Sequence, residues 1–387
     1  MEQEHQVTFE QGPIRPPSEG YSLLIRVTRN CTWNKCTFCP TYKDQKFSKR
    51  SVEEVKRDIR AAKNIADDIK ALSWKMGQAG EITRELVQYV FERSQVYGEN
   101  FRSVAAWLFF GGKTVFFQDA NSIVLKTDEL VEILTFLKEM FPQVTRITTY
   151  ARSKSISKGK TVEDLVLLYK AGLNRIHVGL ESGYDPVLEY MKKGVTAAEN
   201  IDAGKKVRAS GIELSEYVIL GMGGKRWWRE HAIETARVLS EINPDFIRLR
   251  SLKVTSKMPL HQQVESGEFE LQSEEEVVKE ERLFIENLMG ITSRLLSDHI
   301  LNLLMEVQGT LPEDKAKMLA TIDRFLNMPE HEKLNFRLGK RAGIYQGMDD
   351  MAEDTLYTRT EELMREVELK VPGGVEEAIS KIKETFL

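Results

Sequence analysis

The feature that most restricts the fold is an alternation of short apolar runs with segments of helical periodicity. Residues 21–28 read as a strand, with Leu23, Ile25 and Val27 on one face and Leu24 on the other. Short runs at 115–119, 146–152, 175–180, 213–220 and 246–252 repeat the theme. Helical patterns separate them: one from Thr127 with Leu130, Ile133, Leu134 and Leu137, and others near 162–170, 187–193 and 200–210. Strands alternating with helices pair in parallel through right-handed crossovers. Six such units are too few for a full eightfold barrel, so residues 21–252 predict an α/β partial barrel or an open doubly wound sheet.

The flanks differ from this repeat. Ser51 and Glu54 form a capping box that opens an amphipathic helix toward Leu72, and a helical stretch at 82–93 reads as an insertion. Beyond Pro259 the strand pattern ceases. Residues 274–307 read as helical, and a helix-rich tail runs to Leu387 with breaks at Pro312, Pro329 and Pro372-Gly373-Gly374. The expected organisation is an N-terminal extension (1–20), a barrel (21–255) and a C-terminal α-helical module (256–387).

Composition excludes several classes. Hydrophobic residues make up 41% and charged residues 29%, as in a folded soluble protein, and the longest apolar run, 104–110, is too short to span a bilayer. The first twenty residues are polar and carry Pro13, Pro16 and Pro17, unlike a secretory signal, so the expected location is cytoplasmic with no membrane partner. A net charge of −4 argues against nucleic-acid binding by phosphate neutralisation.

All three cysteines lie between positions 31 and 39, with four residues between Cys31 and Cys36 and two between Cys36 and Cys39. An odd number so closely spaced fits no disulfide framework. Soft thiolates at such spacing wrap a polynuclear iron site, and three ligands on a four-iron cluster leave one iron open to a small molecule. The alternatives are a zinc site, which would need a fourth ligand from elsewhere, and three incidental thiols.

This loop resembles the cluster-binding loop of the radical S-adenosylmethionine (radical SAM) enzymes, whose usual spacing is three and two. Residues 179–183 with Leu188, Met191, Lys192, Lys193 and Gly194 look like the branch of coproporphyrinogen dehydrogenase, the elongator catalytic subunit and the methylthiotransferases. The resemblance implies a partial (β/α)6 TIM-type barrel and Cys31, Cys36 and Cys39 as ligands of a 4Fe–4S cluster. It places Phe38 near the adenine of S-adenosylmethionine, Glu181 on the ribose hydroxyls, Lys193 on the methionine carboxylate and Gly221 in a glycine-rich approach to the adenine. Asp119 and Asn121 stand where many members carry glycines and a glutamate that bind the methionine amine; capping of the following turn is the alternative. Lys192 and Lys193 alternatively complement a helix C-terminus before Gly194.

The implied activity is reductive cleavage of S-adenosylmethionine to a 5′-deoxyadenosyl radical that abstracts hydrogen from a small-molecule substrate. The implied electron donor is of flavodoxin or ferredoxin type. A tetrapyrrole-directed enzyme and a non-catalytic iron–sulfur carrier or sensor are the competing readings. With three cysteines in the chain, no auxiliary cysteine-bound cluster is expected. Substrate candidates are polar residues of the later strands: Tyr150 and Arg152 ending the third, Glu216 and Tyr217 on the fifth, and Arg248 and Arg250 on the sixth, two arginines that would suit a carboxylate or phosphate unless they pair internally. His299 is a further candidate, at the polar end of a stripe of Phe284, Leu288, Ile291 and Leu295; the alternative is a helix break at Ser297-Asp298, after which Ile300, Leu303, Leu304 and Val307 form a new stripe that leaves His299 at the surface.

Overall fold

The structure, a computed structural model, describes residues 7–386; the first six residues of the expected N-terminal extension, and Leu387, lie outside the described residues. Eight strands follow one another in one sheet in chain order: β1 (Leu23–Arg26), β2 (Thr114–Gln118), β3 (Arg146–Ala151), β4 (Leu173–Glu181), β5 (Glu213–Leu220), β6 (Phe246–Ser251), β7 (Arg294–Leu296) and β8 (Gly309–Thr310). The six expected strands are found, each within two residues of its expected start, and helices separate them. Two compact units are distinguished. The first runs to Lys35 and includes Thr41–Gly179 and Asp202–Leu214; the second comprises Cys36–Pro40, Leu180–Ile201 and the chain from Ser215 onward.

In the first unit β1 pairs with β2, β2 with β3 and β3 with β4, all parallel. Val115, Phe116 and Phe117 are buried to within 1% of exposure, as a strand covered on both faces requires. The helix Val52–Lys75 starts at the expected capping box and buries Val55, Ile59, Ala62, Ile65 and Ile69 along one face. It packs on helices Glu99–Phe109 and Thr127–Met140. Each such aliphatic side chain contributes about 1.5–3 kcal/mol by burial, and loss of the Ser51 cap would cost about 1 kcal/mol. Helix Glu99–Phe109 carries the long apolar run except Phe110, its C-cap, and its Trp107 is fixed by a 2.8 Å hydrogen bond from Nε1 to the Thr114 carbonyl. The described part of the N-terminal extension belongs to this unit: Phe9 is buried, and its main chain exchanges hydrogen bonds of 3.3 and 3.1 Å with Asn100.

In the second unit β5, β6 and β7 are parallel and β8 is antiparallel to β7. Helices Gly224–Ile242 and Glu274–Asn287 pack together beside them. Here the structure corrects the sequence reading. Residues 274–307 are not one helical stretch: the helix ends at Asn287, Gly290 takes a left-handed turn with φ of 62°, and Arg294–Leu296 joins β6. Phe284, Leu288, Ile291 and Leu295 are all buried, so the stripe located the core but misassigned its backbone. A three-residue strand is too short to show a period of two, and pairing with Phe246–Arg248 decides its conformation. Four further helices, Lys315–Leu326, Glu330–Arg341, Asp354–Lys370 and Gly374–Glu384, fall between the expected breaks.

Candidate functional site

The cysteines occupy the loop after β1. A two-residue ladder, Thr28–Arg29 against Ser48–Lys49, closes the base of that loop. Within the first unit Asn30 Nδ2 donates to the Lys46 carbonyl at 2.7 Å and Asn34 Nδ2 to the Tyr42 carbonyl. Cys31 belongs to the first unit and Cys36 and Cys39 to the second; all three are half-buried and none is in a disulfide. In the second unit the Thr37 main chain is held from both sides, its N–H donating to the Met191 carbonyl and its carbonyl accepting from the Leu260 N–H, each at 3.0 Å. Phe38 packs on a buried cluster of Val187, Met191, Met222, Leu260 and Phe269. Among the described residues no three His, Cys, Asp or Glu side chains are drawn together as a metal-holding group. The fit of the loop to an iron–sulfur cluster therefore rests on donor chemistry, three soft thiols on one short segment.

In the first unit Asp119, just past β2, is fully buried. It accepts from Arg26 Nη2 at 2.7 Å and Nε at 3.0 Å, from the Asn30 N–H at 3.4 Å and from the Tyr42 hydroxyl. These donors precede and follow the cysteines in the chain, so Asp119 ties both ends of the loop. Burial, and then the Asp119 carboxylate, push the Tyr42 phenol well above its ordinary value. Glu10 extends the network to Arg26 at 3.0 Å and Arg29 at 2.6 Å; burial pushes its pKa up, but the arginines outweigh this and hold it below the usual range. The Gly12 N–H donates to Gln118 Oε1 at 2.8 Å, and a Cβ on Gly12 would come within 2.9 Å of the Asp119 carboxylate. Asn121 is buried, its Nδ2 donating to Ser155 Oγ at 2.7 Å and Thr32 Oγ1 at 3.1 Å while Oδ1 accepts from the Arg152 N–H at 3.1 Å. The Arg152 guanidinium lies 5.2 Å from the Trp33 ring, and Tyr150 packs edge-on against Phe116 at 5.1 Å.

In the second unit Glu181 and Lys193 form an ion pair at 3.0 Å, and Lys193 Nζ sits 5.8 Å from the Phe38 ring. Glu181 ends β4 in the left-handed region, φ 66°, an uncommon conformation for a side-chain-bearing residue and one that gathers at ligand sites. Glu216 is buried, and burial, then repulsion from Glu181, raise its carboxyl well above the ordinary value against the opposing pull of Lys193. The Gly221 N–H donates to Glu280 Oε1 at 2.9 Å, and His231 bridges Ser182 Oγ at 2.8 Å and the Ile219 carbonyl at 3.1 Å. Burial pushes Glu280 up to about 8 and His231 down to about 4, so both are neutral near pH 7.

Arg248 and Arg250 share one face of β6, and both reach Asp298, at 2.6 and 2.8 Å. His299 follows β7 in a turn rather than lying on a helix; it is half-buried, and burial and then Arg250 push it down to about 4. The structure thus joins Glu181, Lys193 and Phe38 in the second unit, and Arg248, Arg250 and His299 in a second cluster there. Asp119, Asn121, Tyr150 and Arg152 belong to the first unit. Sequence reading missed Arg26, Tyr42, Glu280 and Asp298, and it offered Glu216 only as a substrate candidate. Arg26 and Asp119 lie 93 residues apart with no local pattern to connect them, and Asp298 depended on the unrecognised strand β7.

Comparisons with known proteins complete the picture. The sequence pattern of the radical SAM superfamily matches residues 87–236, a segment that starts after the cysteine loop. The chain is 25% identical over 118 residues to a tRNA uridine(34) acetyltransferase of Methanocaldococcus jannaschii, 29% of this chain and 21% of that one. It is 23% identical over 209 residues to a putative methylthiotransferase of the same organism, 54% of this chain and 36% of that one. The matched segments span at most 39% of the curated relatives' length. Coproporphyrinogen III oxidase from Escherichia coli, a radical SAM enzyme, superposes with a TM-score of 0.41 at 15% identity, over 69% of this chain and 52% of that one. The strand–helix order is that of a partial (β/α)6 barrel extended by β7 and β8. Three thiols thus follow the first strand of a chain whose later strand–helix units match the pattern of the radical SAM superfamily of enzymes, whose members use a 4Fe–4S cluster and S-adenosylmethionine.

Proposed function

We propose that this protein cleaves S-adenosylmethionine reductively at a cluster held by Cys31, Cys36 and Cys39, and abstracts hydrogen from a small-molecule substrate, with a flavodoxin or ferredoxin as electron donor. The observation that carries this reading is the Glu181–Lys193 pair, 3.0 Å apart, with Lys193 beside the ring of Phe38, the residue before Cys39. When bound, these cofactors supply one-electron cleavage of a sulfonium and hydrogen-atom abstraction. The chain supplies orientation. Lys193 offers a positive charge to a carboxylate, and Glu181, with one oxygen on Lys193, retains acceptor capacity for ribose hydroxyls. Burial holds the Glu216 carboxyl well above its ordinary value, which disfavours a second negative charge beside the pair. Asp119 holds the loop rather than offering an acceptor, because its oxygens are already engaged by Arg26, Tyr42 and Asn30.

Anaerobic reconstitution with iron and sulfide tests this. The wild type should gain a broad iron–sulfur absorption band and form 5′-deoxyadenosine with S-adenosylmethionine under dithionite. The triple Cys→Ala variant should lose both, and a variant that keeps the band would end the ligand assignment.

A further inference from the structure

The Arg248–Arg250 cluster carries more positive charge than its partners neutralise. Arg248 Nη1 meets Asp298 Oδ2 at 2.6 Å, and its Nε donates to Ser215 Oγ at 3.2 Å. Arg250 Nη1 meets Asp298 Oδ1 and the Leu249 carbonyl, both at 2.8 Å. Arg250 Nη2 is buried, and its guanidinium lies 4.8 Å from the ring of Tyr217, a neutral phenol that offers no counter-charge. Two guanidinium charges therefore face one carboxylate. Burial pushes Asp298 up, but Arg250 and Arg248 outweigh it and keep it ionised, so it neutralises one charge and no more. His299 beside them is neutral near pH 7, and Arg341, which also acts on His299, is committed to Glu274 at 2.6 Å. A buried guanidinium charge without a counter-charge is costly unless something else neutralises it.

Position adds a second argument. Arg250 is the penultimate residue of β6, and Asp298 lies two residues past the end of β7. Ligands of parallel α/β sheets gather at the carboxyl ends of the strands.

We infer that this cluster binds an anionic group of the substrate, a carboxylate or a phosphate, on the Arg248 and Arg250 guanidinium groups, with Asp298 as the internal counter-charge that occupies them between substrates. The assignment to substrate rests on the enzyme reading above; the anion site itself does not. Asp298 and the ligand then compete for the same two guanidinium groups, which gives the inference a signature that a purely structural salt bridge lacks.

The test is calorimetric titration of the reconstituted protein with inorganic phosphate. Arg250→Met and Arg250→Lys, which removes the fork, should weaken binding roughly tenfold or more, whereas Asp298→Asn should tighten it roughly tenfold. Asp298→Asn keeps the question open to refutation should an Arg250 variant misfold. Phosphate binding that Asp298→Asn leaves unchanged or weakens would overturn the inference. S-adenosylhomocysteine separates the two sources of a carboxylate: unchanged affinity in Arg250→Met supports the substrate, and a parallel loss assigns the arginine to the cofactor and overturns the proposal. Failure of the wild type to form a cluster would sink the enzyme reading while leaving the phosphate result standing.

Discussion

Asp119 in the first unit and Glu181 in the second are both carboxylates at the end of a parallel strand, yet their surroundings assign them opposite work. Asp119 is fully buried and accepts from a guanidinium, a phenol and a main-chain N–H. Glu181 keeps about 13% of its side chain exposed, sits on a left-handed backbone and meets a single lysine. A buried charge whose acceptor sites are filled is a structural fastener, whereas one with spare lone pairs at an accessible position is available to a ligand. Sequence position alone could not separate them, because the resemblance implied a cofactor contact for each.

The contrast can be broken most directly by Asp119→Ala. Removing one partner of a buried pair leaves Arg26 uncompensated, and unfolding free energy should fall by about 3–5 kcal/mol, read from the urea midpoint. A loss no larger than that of Glu181→Gln would erase the distinction.

A third kind of carboxylate sharpens it. Glu281 is buried with Oε1 unpartnered, and burial, then repulsion from Glu306 and Glu280, raise it to about 8. A folded-state value above the unfolded 4.5 means its contribution is fully present below pH 4.5 and is lost as pH rises through about 8. Stability should decline across that window by up to about 1.4 kcal/mol per pH unit for this group, and Glu281→Gln should flatten the slope. An identical slope in that variant, measured by urea unfolding at several pH values, would show that Glu281 ionises normally.

The next effect returns to the fastener. Gly12→Ala would press a methyl group to within 2.9 Å of the Asp119 carboxylate, and should cost about 1–3 kcal/mol by displacing it. The smallest expected change in stability is that of Glu181→Gln, about 1 kcal/mol, because the amide oxygen still accepts from Lys193, accompanied by roughly tenfold weaker S-adenosylhomocysteine binding. A stability loss there as large as that of Asp119→Ala would mean that Glu181 is also a fastener.

Much of this was legible beforehand. The capping box at Ser51 and Glu54, the helix Val162–Lys170 and the strand Glu213–Leu220 stand where periodicity put them, because a capping residue and an apolar repeat are local properties of a few consecutive residues. The helix expected through 274–307 failed for the converse reason: its apolar spacing matched a helix, but a neighbouring strand offered Arg294–Leu296 backbone hydrogen bonds that spacing does not encode. His299 therefore lies in a turn, and Asp298 became visible as a partner of Arg248 and Arg250 only with that turn in place.

The sequence by itself determined the strand–helix alternation, the thiol-bearing loop after the first strand and the twelve-residue interval between Glu181 and Lys193, since each is written in neighbouring residues. Tertiary structure decided which charges are spent and which are left over. Arg26 reaches Asp119 across 93 residues and Asp298 reaches Arg248 across 50, and such pairings follow from how strands are brought side by side, a choice made by the burial of whole elements rather than by any local run of the chain.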